Sequence, residues 1–205
     1  MLATSDVLRA VQQHSRVSTI HVFGDESAAL LGMLAQSGLD CIALSELSDI
    51  DTLDPQNAVL AVVASEVRPE SSLAVANEAC VTRGLTWLPI GAIDRDSDGG
   101  DRVTVGPLVV PGSGACFDCS IDDAGDTLEY RSSGYRELEG RHGTTDPNPL
   151  NAPRLALASL ILSRWIEARD PRLPGRRFTL TRGEPDLGHT WIPRSAACRT
   201  CSSGS

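Results

Sequence analysis

Ala58 to Ala64, AVLAVVA, is a run without a single polar side chain, bounded by Asn57 and Ser65. A short apolar run of this kind predicts a strand buried on both faces, as in the interior of a parallel sheet. Such a strand requires neighbours on each side, and both flanks supply them. Upstream, Ser18 to Phe23 (STIHVF) predicts a strand ending at Gly24. Glu26 to Ser37 (ESAALLGMLAQS) then predicts a helix stopped by Gly38, and Asp40 to Leu44 (DCIAL) a second strand, which together make a βαβ unit. Downstream, Glu70 to Arg83 predicts a helix closed by Gly84, followed by a strand at Thr86 to Ile90. Strand and helix alternate throughout, so the fold class is α/β with a Rossmann-like doubly wound sheet over residues 1–93. A short helix over residues 3–15 precedes it.

The pattern changes after residue 93. The acidic stretch DRDSDGGD, Asp94 to Asp101, predicts a solvated turn, and RVTVGPLVVPG after it is β-like. Residues 122–149 are polar and predict a long crossover. Pro153 to Arg169 predicts a helix, with Leu155, Leu157, Leu160, Ile161 and Trp165 as its apolar positions. Arg177 to Thr181 and His189 to Ile192 predict a hairpin around GEPD. The 205 residues are read as a single domain whose second half, 94–205, carries the crossover, the helix and the hairpin.

Composition narrows the chemistry. The chain has no lysine, which excludes a Walker-type phosphate lysine, a Schiff-base lysine and a lysine general base. A net charge of -9 gives no reason to expect nucleic acid or an anionic membrane as partner. No apolar run approaches the roughly 18 residues that span a bilayer. Residues 1–16 lack the apolar centre of a signal peptide, so a cytoplasmic location is expected. In a reducing compartment, paired cysteines favour metal or core roles over disulfides.

Two C-x-x-C pairs stand out: Cys116 with Cys119, and Cys198 with Cys201. Two residues between ligands let a tight knuckle aim both sulfurs at one ion, and two knuckles complete a tetrahedral zinc set. All four positions are then filled by protein, so the zinc is read as structural. The competing reading is one redox dithiol and one incidental pair. A redox pair opens a helix, which lowers its thiol pKa, whereas Cys119 leads into Ser-Ile-Asp-Asp and predicts no such helix. Cys41, within a strand, and Cys80, on the Leu73 and Ala76 face of its helix, are read as core residues.

Gly24 and the segment VGPLVVPGSGACFDC, Val105 to Cys119, carry a resemblance. An α/β half followed by IGA, a polar turn and this segment resembles the ThiF/MoeB superfamily, the fold of ubiquitin-activating enzymes. The closer resemblance is to the ThiF-like partner proteins of YcaO cyclodehydratases, which act in making azole- and azoline-containing ribosomal peptides. There a GPL-V-P-G-x-x-x-C-x-x-C segment recurs, and a terminal C-x-x-C completes a zinc site. The likeness spans Ser18 to Cys201.

The departures from that family are equally informative. Its adenylating members carry a glycine-rich loop after the first strand, which brings phosphate close to a helix N-terminus. Here the turn is FGDESA, in which only Gly24 remains and Asp25 and Glu26 place negative charge where phosphates would sit. Glu46 stands where the family reads a ribose, without the Arg and Gln that follow it. Glu66 stands near the family's magnesium-holding acid. Residues 120–197 contain no cysteine for transfer chemistry. Gly24, Glu46 and Glu66 are therefore read as a vestigial nucleotide site, with ATP not expected as a ligand.

These features imply a non-catalytic accessory or scaffold protein that binds a YcaO-type cyclodehydratase, a precursor peptide, or both. About 17 residues precede the first strand, too few for the family's leader-binding winged helix, so either a separate protein supplies that module or this chain contacts its partners through its own surface. Homodimerisation is implied by the resemblance alone. The alternatives are an ATP-dependent enzyme that adenylates a peptide or carrier-protein C-terminus, and a structural subunit of another complex. His142 and His189 are read as surface histidines. Arg172, Arg176, Arg177 and Arg182 are read either as a solvated rim or as a grip for an acidic partner.

Overall fold

The computed structural model describes residues 19–24, 26–64, 72–91, 94–95, 101–123 and 149–202. The readings at residues 3–15, Asp25, Glu66, Asp96, Asp98 and His142, and nearly all of the crossover, lie outside the described residues.

The apolar run forms β3 (Ala58–Val63), and every residue in it is buried. Beside it lies β1 (Thr19–Gly24), followed in the chain by α1 (Ser27–Gln36) and β2 (Cys41–Ala43). A 3-10 helix over Leu47–Thr52 leads back to β3, and α2 (Ser72–Arg83) leads on to β4 (Thr86–Ile90). Strands β2, β1, β3 and β4 are parallel neighbours in that order. The chain steps from β1 to β2 in one direction and then returns to the other side of β1, so the order reverses between β1 and β3.

The second half does not stand apart from this sheet. Strands β5 (Asp94–Arg95) and β6 (Asp101–Val105) pair antiparallel, and β6 joins the parallel part through Ile90 and Val105. After α3 (Phe117–Asp123) and α4 (Asn151–Ala168), β7 (Arg176–Thr181) pairs with β6. Strand β8 (Gly188–Trp191) forms the far edge, and α5 (Arg199–Ser202) follows it. The acidic run is thus strand at both ends rather than a free turn, with Asp101 facing Arg182 at 3.4 Å.

Two apolar clusters cover the two faces of the sheet. On one side α1 and α4 bring Leu30, Leu34, Leu155, Ile161, Leu162 and Trp165 onto Ile20, Val22, Val59, Ala61 and Ile90. On the other, α2 and the cysteine-bearing segments pack Leu73, Ala76, Cys80, Cys116 and Cys198 onto Leu60, Val62 and Trp87. Each fully buried Leu or Val contributes about 1.5–3 kcal/mol of transfer free energy. Leu160, expected in the core, is 55% exposed. Leu155, Ala158, Leu162 and Trp165 recur at three- and four-residue spacing along the buried stripe of α4, and Leu160 falls on the opposite face. The Val105 to Gly112 segment crosses between the clusters, with Leu108 and Val110 entering one and Val109 the other.

Gly24 closes β1 for a steric reason. Its φ is +117°, and a Cβ there would lie 2.0 Å from the carbonyl oxygen of Val63, its partner on β3. At Gly32, on α1, an added methyl would have nothing within 4 Å. Gly24→Ala is therefore expected to cost more than about 2 kcal/mol, whereas Gly32→Ala should gain about 0.5–1 kcal/mol. Urea unfolding of the two variants checks both signs, and equal effects would contradict this account of Gly24.

Candidate functional site

Cys116 ends the loop before α3 and Cys119 lies in the first turn of that helix; Cys198 and Cys201 repeat the arrangement at α5. Both pairs therefore open short helices, contrary to the expectation drawn from Ser-Ile-Asp-Asp. A ligand just before a helix start and another three residues on share one face, which is what lets each knuckle aim two sulfurs together. The helix starts alone would suit a redox dithiol. Convergence of the two pairs separates the readings: the four sulfurs all lie within 4.8 Å of one another.

Cys116 Sγ is 3.5 Å from Cys198 Sγ, Cys119 Sγ is 3.4 Å from Cys201 Sγ, and the Cys116 and Cys119 sulfurs are 3.9 Å apart. Tetrahedral thiolates at about 2.3 Å from an ion lie about 3.8 Å apart, so the spacing fits a four-sulfur set for a metal such as zinc. Cys116, Cys119 and Cys198 are buried and Cys201 is half-buried. Burial pushes the Cys116 thiol up, and the Cys119 thiol up to about 11. At Cys198 burial also pushes up, but hydrogen bonds from the Cys201 backbone and from the neighbouring thiols outweigh it and lower its pKa. A bound cation would remove the opposition between burial and ionisation by supplying the compensating charge. No ligand position is left open, so the chemistry such an ion supplies is cross-linking of the two knuckles.

The other two cysteines stay apart from this cluster. The Cys41 thiol donates to the Leu31 carbonyl at 3.6 Å. Cys80 is fully buried, and that burial pushes its thiol up to about 12.

Ligands of open α/β sheets bind beyond the carboxyl ends of the strands, where the strand order reverses. At that edge the described residues include a buried arginine whose contacts join three elements. Arg154, in the first turns of α4, is 2% exposed. Its Nη1 donates to the carbonyls of Ala64 at 3.2 Å and Gly91 at 2.7 Å, just past β3 and β4. Its Nη2 pairs with Glu26 Oε2 at 2.8 Å, at the start of α1. Glu26 thus lies where its position in the turn after β1 implied, but its charge is neutralised by an arginine. Glu46, after β2, is exposed; its N–H donates to Asp49 and its carboxylate accepts from Ser48, both at 3.1 Å. Gly24 lies at the same edge and is required by the β1–β3 approach.

Most of the arginines around the last strands also have partners inside the chain. Arg172 is bidentate on Asp170 at 2.8 Å, Arg182 pairs with Asp101, and Arg177 donates to the Ser120 carbonyl at 2.8 Å. His189 lies on exposed β8 beside the Phe178 ring, at 6.5 Å. Two buried polar residues that sequence reasoning passed over prove central, Arg154 and Asn77. Each is a polar residue on the buried face of an otherwise apolar helix, and that mismatch was the available signal.

No protein-family model and no curated protein matches the chain. Solved structures do. The heterocyclase TruD superposes over 94% of this chain with a TM-score of 0.62 and 19% identity. A heterocyclase in complex with substrate and cofactor gives 0.65 and 22%, again over 94%. E. coli MccB with ATP gives 0.61 at 13% identity, over 94% of this chain and 68% of MccB. The likeness is one of fold. This chain spans only 28% and 26% of the two heterocyclase chains.

Metal analysis of the purified protein should find about one divalent ion, such as zinc, per chain. Cys198→Ser should lose it and unfold at lower denaturant. A metal-free protein of full stability would contradict the assignment.

Proposed function

We propose that this chain is a non-catalytic, zinc-bearing accessory protein of ThiF-like fold, folded as a single domain, that acts in the modification of ribosomally made peptides. It binds a YcaO-type cyclodehydratase, its precursor peptide, or both, in the cytoplasm, with a separate winged-helix protein capturing the leader. Self-association into a homodimer is part of this reading. The fold shared with two heterocyclases supports the setting, as does the VGPLVVPG segment leading into Cys116.

The observation that carries the non-catalytic part is the Arg154–Glu26 pair at the strand-end edge. A nucleotide's phosphates need positive potential and free N–H groups there. A phosphate that displaced Glu26 from Arg154 would still face that carboxylate at close range. One that left the pair intact would find the guanidinium already committed to Glu26 and two carbonyls. Separating a buried pair costs about 3–5 kcal/mol, which corresponds to roughly a hundredfold to several thousandfold in affinity. Glu66 and Glu46, without the family's further nucleotide contacts, do not offset this.

The second reading is an ATP-dependent adenylating enzyme, and the likeness to MccB solved with ATP favours it. The two part in a pyrophosphate-exchange assay with magnesium, ATP and candidate peptides. We expect no peptide-dependent exchange and no thermal shift on adding ATP; robust exchange would establish the enzyme reading instead. Co-purification with a YcaO-type cyclodehydratase is expected, and its failure would favour a structural subunit of another complex. Arg154→Ala should lower stability by about 3 kcal/mol and Tm by roughly 6–12 °C. Unchanged stability would mean that Arg154 is held available for a ligand.

A further inference from the structure

Helix α2 buries Leu73, Ala76, Asn77 and Cys80. Asn77 is the anomaly in that stripe: it is 0% exposed, and packing alone gives no reason for an amide there. Both ends of the amide are committed to the first cysteine knuckle. Oδ1 accepts the N–H of Phe117 at 3.1 Å, and Nδ2 lies 3.8 Å from Cys116 Sγ. A backbone N–H only donates, so the Phe117 contact fixes which end of the amide is oxygen. The NH2 group is thereby turned toward the sulfur as a donor.

The two contacts do different work. Phe117 is the first residue of α3, and its N–H is one of the groups a helix start leaves unpaired; Asn77 caps it from another helix. The Nδ2 contact bears on charge. Four thiolates around a divalent ion carry a net charge of -2, and three of these cysteines are buried. Donors pointed at the sulfurs offset that charge, as the Ser195 N–H does at Cys119, 3.4 Å away.

We propose that Asn77 is a positioning residue of the metal centre: its amide aims Cys116 at the ion, shares the thiolate charge, and slows loss of the ion. This rests on the four-cysteine zinc reading and extends it to the outer contacts of the site. The effect reaches the ion through Cys116, since Asn77 is not itself a ligand.

The test uses the full-length zinc-loaded protein. Zinc release to excess chromogenic chelator is timed below the melting temperature of every variant, and cobalt-substituted samples report the sulfur-to-metal charge-transfer band. Asn77→Leu fills the space without a donor. It should weaken zinc binding about 10–100-fold and move the cobalt band to longer wavelength, as an unshared thiolate becomes more electron-rich. Cys80→Ala on the same buried stripe is the control; it should lower stability while leaving release within twofold and the band unmoved. Should Asn77→Leu not fold, Asn77→Ala is judged by the same criteria. A folded Asn77 variant with release within twofold of wild type would overturn the proposal. So would a Cys80→Ala protein that releases zinc as fast as the Asn77 variant. Wild-type protein that binds no zinc would instead remove the four-cysteine reading beneath it.

Discussion

A buried guanidinium holds together the edge of this molecule where strands and helices meet. Arg154 joins α4 to the carbonyls of Ala64 and Gly91 and to the carboxylate of Glu26. Those partners come from three separate places in the chain, and none can move without leaving a carbonyl or the buried guanidinium short of a partner. The cost of an unpaired buried charge exceeds that of most single contacts, so the pair specifies geometry more strongly than it adds stability. With α1, β3, β4 and α4 fixed relative to one another, the sheet keeps the reversed strand order from which a binding crevice is ordinarily made. Arg154 and Glu26, the groups that hold this edge, lie at it themselves.

On the opposite face the constraint is the sulfur cluster. It belongs to the apolar cluster that contains Trp87, Val109 and Ile192, so an ion held there would cross-link the two knuckles inside a core. Trp87 lies edge-on to Phe117, the first residue of α3, at 6.0 Å. Asn77 then ties α2 to the same knuckle. The C-terminal pair is thereby attached to the middle of the chain, the middle to α2, and α2 to the parallel sheet. Binding or loss of an ion at the four sulfurs would therefore be felt at α2 as well as at α5.

How much of this was legible in the sequence depends on how local the determinant is. AVLAVVA announces a doubly covered strand because the strand's burial is written in consecutive residues. The cysteine spacing announces the knuckles because both ligands of each lie within one turn. The helix starts at the two pairs were not legible, since Phe-Asp-Cys-Ser has no strong helix pattern and the turns are held by tertiary contacts. Arg154 and Asn77 escape a sequence reading for a related reason. Their partners lie as far as Glu26 for Arg154 and Phe117 for Asn77, and only the folded chain brings them together. The acidic turn after β1 reads as repulsive because its counter-ion stands on α4, in another part of the sequence.

That last point changes what Glu26 means. Read locally, a carboxylate at the start of α1 looks like damage to an anion site, a negative charge left where phosphate belonged. Read with Arg154, it is an internal anion at the helix start whose charge is matched by a buried guanidinium. Here Glu26 and two strand-end carbonyls are all paired with Arg154, whose Nε finds no partner among the described residues, so the chain's own groups hold this edge together.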